Sequence, residues 1–97
     1  MSVAEVRGAL DPAATAAALP YPALAQAIAA LLRDPSVRVP PRLVQPLPGG
    51  GSLFVMPATD ARVAITKLIT FVAANAAAGR PTSPGDIVVF DAATGER

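Results

Sequence analysis

The sequence predicts an α+β fold, with two amino-terminal helices followed by an antiparallel sheet of about four strands. Three observations lead there. Asp11-Pro12 is a helix start, with aspartate as N-cap and proline at the first helical position. From Pro22, the apolar residues Leu24, Ile28, Leu31 and Leu32 recur at spacings of four and three, which marks one helical face. After residue 40 the chain changes to short β-rich runs separated by turn residues, an order that favours antiparallel pairing.

The elements follow in turn. The first helix covers Ala13 to Leu19 after its Asp11-Pro12 start, and Pro20 and Pro22 end it and begin the second. The second ends near Arg33, because Asp34 precedes Pro35 and the residue before a proline avoids helical geometry. Together the helices span about 12–33. Val39-Pro40-Pro41-Arg42 is extended or turn-like, since two prolines forbid helix. Strands are expected at about 43–47, 53–57, 62–72 and 86–91. The first must lie at a sheet edge or carry a bulge to tolerate Pro46. Pro48-Gly49-Gly50-Gly51-Ser52 forms the hairpin loop, and Asn75, Gly79 and Pro81 are turn residues in the connection 73–84. Asp91 to Gly95 then turns the chain back. No strand follows to pair with the hydrophobic run before it, so the chain is expected to be a fragment.

Length and composition narrow the function classes. A chain of 97 residues suits one domain, in which folding hides roughly 60–65 % of the unfolded surface. At 53 % hydrophobic and 15 % charged it is far from the composition of disorder. Much of that apolar content is alanine, so the core rests on Leu, Ile, Val and the rings of Tyr21, Phe54, Phe71 and Phe90. A formal net charge of +1 leaves no basic footprint for nucleic acid. With no cysteine and no histidine, disulfides, thiolate nucleophiles, Cys/His zinc sites and histidine bases are all excluded. No metal site is expected, and the missing disulfide framework favours a cytoplasmic location. No apolar run reaches the ~18–20 residues of a membrane span. The amino terminus, with Glu5 before Arg7, lacks the layout of a secretory signal.

Three features compete for chemistry. Gly49-Gly50-Gly51 lacks the spacing of a dinucleotide cradle, because position 54 is Phe54 and the following residues read as strand. A hairpin loop is the better reading. Lys67 is the sole lysine and lies within an apolar strand, sharing by alternation a face with Val63, Ile65, Ile69 and Phe71. A cation there must be solvated, paired or used. An edge-strand lysine that blocks aggregation is the equal alternative. Arg42 follows two prolines that stiffen its backbone, so its guanidinium could grip a carboxylate through two parallel bonds. On its residues alone, a solvated surface arginine is the commoner case. Asp60, Asp86 and Asp91 are read as turn aspartates without catalytic roles.

The motifs also form an ordered set: Leu19-Pro20-Tyr21, Val39-Pro40-Pro41-Arg42, Gly50-Gly51-Ser52-Leu53, Met56-Pro57-Ala58, Ile65-Thr66-Lys67-Leu68, Asn75 with Gly79 and Pro81, and Gly85 with Val88 to Gly95. From about Leu10 to Arg97 this order resembles the amino-terminal half-domain of the ornithine cyclodeaminase/mu-crystallin family. Within it, the set is most like the bacterial Δ1-pyrroline-2-carboxylate/Δ1-piperideine-2-carboxylate reductases. The resemblance implies that residues 1–97 are the first part of a substrate-binding and dimerisation domain. The Rossmann domain that binds NADPH or NADH would lie outside the chain, which then holds no cofactor-binding residue. Arg42 and Lys67 match family residues that contact the substrate carboxylate region, and Met56 is placed in the same pocket. Lys67 would be the catalytic residue, either stabilising charge or donating a proton to the imine nitrogen. A further family arginine, just past this chain, would complete the carboxylate clamp. The implied partners are a small cyclic imino acid and, in the full-length protein, a second copy. No nucleic acid and no membrane are expected. The 97-residue chain alone is expected to be inactive. An ornithine cyclodeaminase fragment and a non-enzymatic ligand-binding or dimerising remnant are the alternatives.

Overall fold

The computed structural model describes residues 9–97, so the reading of the amino terminus as lacking a secretory signal lies outside the described residues. The chain divides into two compact units, a helical one ending at Val37 and a sheet unit spanning Arg38–Arg97.

The helical unit holds α1 (Pro12–Ala18) and α2 (Tyr21–Leu32). The expected start of α1 is present: the Asp11 carboxylate accepts the Ala14 amide at 2.8 Å, and Pro12 occupies the first turn. Leu19 and Pro20 break the run, and the helix axes bend by 73° across them. At the far end of α2, Arg33 is the C-cap. There Asp34 accepts both the backbone amide and the hydroxyl of Ser36, at 2.8 and 2.7 Å, a side-chain turn that competes with further helix. No single helix among the described residues is long and apolar enough to cross a membrane, although α1 and α2 taken as a bent pair have the length and composition.

The sheet unit is a four-stranded antiparallel meander in the order β1-β2-β3-β4. Its strands are β1 (Leu43–Pro46), β2 (Ser52–Thr59), β3 (Val63–Phe71) and β4 (Gly85–Asp91). The α+β expectation and its element order are borne out. Every expected strand is present, with ends displaced by one or two residues. The Leu47–Gly51 loop closes the first hairpin, as Leu47 donates to the Gly51 carbonyl at 2.8 Å and Gly49 and Gly50 take φ of 92° and 98°. The triple glycine is therefore a strand-to-strand loop. Asp60 closes the second hairpin by accepting the Arg62 and Val63 amides at 2.7 and 2.8 Å. In the third connection Gly79 takes φ 72°, and the Asn75 side-chain amide donates to the Pro81 carbonyl at 3.1 Å. Asp86 is not a turn residue; it lies in β4 opposite Leu68.

The prolines sit where the ladder can spare a donor. Pro46 belongs to β1, an edge strand, as expected. Pro57 lies in β2, which is paired with β1 only through Val55, while Thr59 bonds to Arg38 beyond it. On the β1 side of Pro57 the chain runs through Val39-Pro40-Pro41, outside any strand, so the missing N–H costs no ladder bond there. Five steps from Arg38 to Leu43 face four from Val55 to Thr59, so the edge also carries one extra residue, the count of a bulge.

Asp91 ends β4. Its carboxylate accepts the Ala93 and Thr94 amides at 2.8 and 3.0 Å, and those bonds lower its pKa from the ordinary 3.8. A group whose folded pKa is depressed contributes stability above its unfolded pKa and loses it as pH falls through the folded value. The Asp91–Gly95 turn should therefore hold at pH 5 and loosen below about pH 4. Carboxyl-carbon NMR of Asp91 should show a midpoint below 3.8, with the Ala93 and Thr94 amide shifts following it. A midpoint above 3.8 would mean that the turn does not hold the charged form.

Candidate functional site

The pairing register decides which side chains share a face. In an antiparallel sheet, directly paired residues point to the same side, and alternate residues follow them. Met56 pairs with Lys67, and Lys67 with Ile87. Arg42 directly precedes β1, whose first residue, Leu43, pairs with Val55, the neighbour of Met56 on β2. Met56, Lys67 and Ile87 thus form one paired row, and Arg42 flanks it from the end of β1. A second observation fixes the side of Arg42: its guanidinium carbon lies 5.6 Å from the centre of the Phe54 ring. Phe54 is two residues from Met56 on β2 and therefore on the same face.

The surroundings of the row are apolar. Val44, Phe54, Ala58, Val63, Ile65, Ile69, Phe71 and Val89 share its face by register. The face is also open: Val44 is 47 % and Ile87 60 % exposed, and no hydrophobic side chain among the described residues is buried. Met56 is half-buried, while Arg42 and Lys67 are exposed.

β3 is paired on both sides, with β2 and with β4. The aggregation-blocking alternative for Lys67 required an edge strand, and the position of β3 removes it. Water solvates the exposed ammonium and leaves it accessible to an anion.

Electrostatics favours such an anion. Neighbouring strands lie about 4.8 Å apart, so the backbones of Arg42 and Lys67 are separated by roughly 10 Å. Two like charges at that distance repel by about 0.4 kcal/mol in water. A carboxylate midway, about 5 Å from each, gains about 0.8 kcal/mol per contact in water, and more where water is excluded. Attraction therefore exceeds repulsion. Among the described residues, the only carboxylate that register places on this face is Asp91, opposite Val63 and engaged by its own turn. The row can hold a planar anion, with Arg42 as a two-bond donor, Lys67 as a point charge and the flexible Met56 thioether between them.

The triple glycine is not a cradle for a dinucleotide. A dinucleotide's pyrophosphate needs a glycine loop leading from a strand into a helix amino terminus. Gly49–Gly51 instead joins β1 to β2, so its loop does not supply one. No group of three or more metal-ligating side chains occurs among the described residues.

The Phe54 ring is the member of the site that sequence reading missed. Its signal was alternation with Met56, but its contact with Arg42 depends on a register that strand-by-strand reading does not supply.

No protein-family model matches the chain. Curated proteins do. Over 89 residues, or 89 % of this chain, it is 43 % identical to Δ1-pyrroline-2-carboxylate reductase 1 of Burkholderia multivorans. It is 41 % identical over 91 % of its length to Δ1-pyrroline-2-carboxylate reductase 2 of Burkholderia ambifaria. It is 39 % identical over 89 % of its length to a Δ1-pyrroline-2-carboxylate/Δ1-piperideine-2-carboxylate reductase of Azospirillum brasilense. The chain spans 29 % of the length of each of these relatives. The resemblance of the ordered motifs to these reductases is thereby borne out: along about nine-tenths of its length, this chain is similar to proteins named Δ1-pyrroline-2-carboxylate reductases.

Proposed function

We propose that this chain is the substrate-binding portion of an NAD(P)H-dependent reductase of cyclic imino acids. The reaction would take Δ1-pyrroline-2-carboxylate to L-proline and Δ1-piperideine-2-carboxylate to L-pipecolate. The observation that carries the reading is the Met56–Lys67 pair flanked on the same face by Arg42, in a chain similar to reductases of that name. In the complete protein, residues outside this chain would hold a nicotinamide cofactor, which would supply hydride for the C=N carbon. The residues here do the binding. Arg42 and Lys67 grip the carboxylate and so fix the angle of the ring, and orientation is a large share of such catalysis. Met56 and its apolar neighbours pack against the ring and exclude water. Lys67 additionally stabilises charge or holds a proton for the imine nitrogen. We read the complete protein as a cytoplasmic homodimer and this chain as inactive alone.

A chimera tests the reading. This chain replaces its matching stretch in the Burkholderia multivorans protein, and NADH and NADPH oxidation are followed with Δ1-pyrroline-2-carboxylate. Turnover by the chimera and none by the 97-residue chain is the expected result. A folded chimera without turnover would sink the proposal, and ornithine consumption in its place would point to a cyclodeaminase. Turnover by the short chain would overturn the placement of the cofactor site outside it.

A further inference from the structure

We propose that Phe54 is a positioning residue for Arg42: its ring forms a platform that holds the guanidinium over the sheet face, directed along the row toward Lys67. The inference rests on the carboxylate-binding reading of that row and adds a residue that the reading did not require.

The physical problem is how an exposed arginine is kept in place. Pro40 and Pro41 stiffen the chain that leads into Arg42, but the arginine side chain still has several rotatable bonds. A carboxylate partner would fix it, yet would also neutralise the charge that a substrate needs. An aromatic face avoids that conflict. The ring quadrupole attracts the cation without offering a hydrogen-bond acceptor, so all five guanidinium N–H donors stay available. The 5.6 Å separation lies within the range of this interaction. The register accounts for the geometry: Phe54 pairs with Val44, and Arg42 is two residues from Val44 on the same face, a diagonal cross-strand neighbour that a long side chain can reach.

Phe54 is itself held. It is half-buried, with Ile69 opposite it on β3 and Val44 on β1. The ring is thus fixed in the central part of the sheet and carries Arg42, which lies just outside β1. Phe54 touches no reacting atom in this scheme and acts through Arg42.

The test is a double-mutant cycle on the 97-residue chain, with pyrrole-2-carboxylate as the probe and NMR titration of the Met56 methyl and Arg42 Nε signals as the readout. Arg42→Gln should weaken binding strongly. Phe54→Leu keeps an apolar side chain and should weaken binding about two- to five-fold, the value of an exposed cation–π contact expressed as a ratio. In the Arg42→Gln background, Phe54→Leu should change binding little, because the contact is already gone. Phe54→Tyr keeps a ring face and should restore binding, and it also controls for loss of folding in Phe54→Leu. Binding unchanged by Phe54→Leu, or weakened equally in both backgrounds, overturns the platform while leaving the row as a carboxylate site. A probe response that does not depend on Arg42 overturns the site reading, and the platform with it.

Discussion

Replacing Lys67 with methionine in the chimeric reductase should lower kcat/KM by about 100-fold or more while leaving thermal stability close to unchanged. The size follows from the proposed roles. Loss of a charge-assisted contact to the carboxylate would weaken orientation, and, if Lys67 also serves the imine nitrogen, loss of a positioned proton donor costs about 10²–10⁴-fold. The neutral effect on stability follows from the surroundings. Methionine is also unbranched and flexible, and the face around position 67 carries Met56, Ile65, Ile69 and Ile87. The ammonium is exposed, so no buried partner is left unsatisfied when it goes. A structural lysine would give the reverse pattern, with altered stability and near-normal turnover. Steady-state kinetics and a melting curve on the same preparation separate the two. If the loss falls on KM alone, Lys67 binds the carboxylate; if kcat falls as well, it also acts on the imine. Near-normal kcat/KM would remove Lys67 from the mechanism.

How much of this site was legible beforehand depends on how local each feature is. The start of α1 is written in two adjacent residues, Asp11 and Pro12, and formed as expected. The hairpin loop at Gly49–Gly51 is equally local, since only glycine takes the positive φ found at Gly49 and Gly50 without cost. The end of β2 was not local. The strand was expected to end at about 57, yet it continues to Thr59, and Pro57 is tolerated within it because it falls opposite a stretch of the edge that forms no ladder. The place of Lys67 within the sheet is less local still. Alternation alone assigned its face, but whether β3 is an edge depends on β4, some twenty residues further along. The contact between Arg42 and Phe54 joins residues on two strands and needs the register of the first hairpin. Chemistry carried by one residue and its neighbours was visible; chemistry made by pairing was not.

Gly85→Ala should destabilise the sheet unit by about 1–3 kcal/mol, a cost of the size overpacking carries, because the exposed Gly85 still lies hard against the backbone of the neighbouring strand. Gly85 opens β4 opposite Ile69. A Cβ built there would lie 2.6 Å from the Leu68 carbonyl oxygen and 3.1 Å from Ile69 Cγ1. The first of these atoms is backbone of an interior strand, and no rotamer change can move it aside. Relief must come from displacing β4 away from β3, which strains the Thr70-to-Pro84 backbone bond of 3.2 Å at that end of the ladder. Two residues further along, the same ladder pairs Ile87 with Lys67, so the displacement should also reach the candidate site. Denaturant unfolding of the 97-residue chain should show a lower midpoint for Gly85→Ala, while exposed Ser83→Ala should stay within about 0.5 kcal/mol of the parent. The carboxylate probe should bind Gly85→Ala more weakly even where the variant is still folded, since Lys67 moves with its strand pair. An unchanged midpoint would mean that β4 does not pack against Leu68 as closely as this register requires. Weakened probe binding at an unchanged midpoint would instead tie the first turn of β4 to the site through geometry rather than stability.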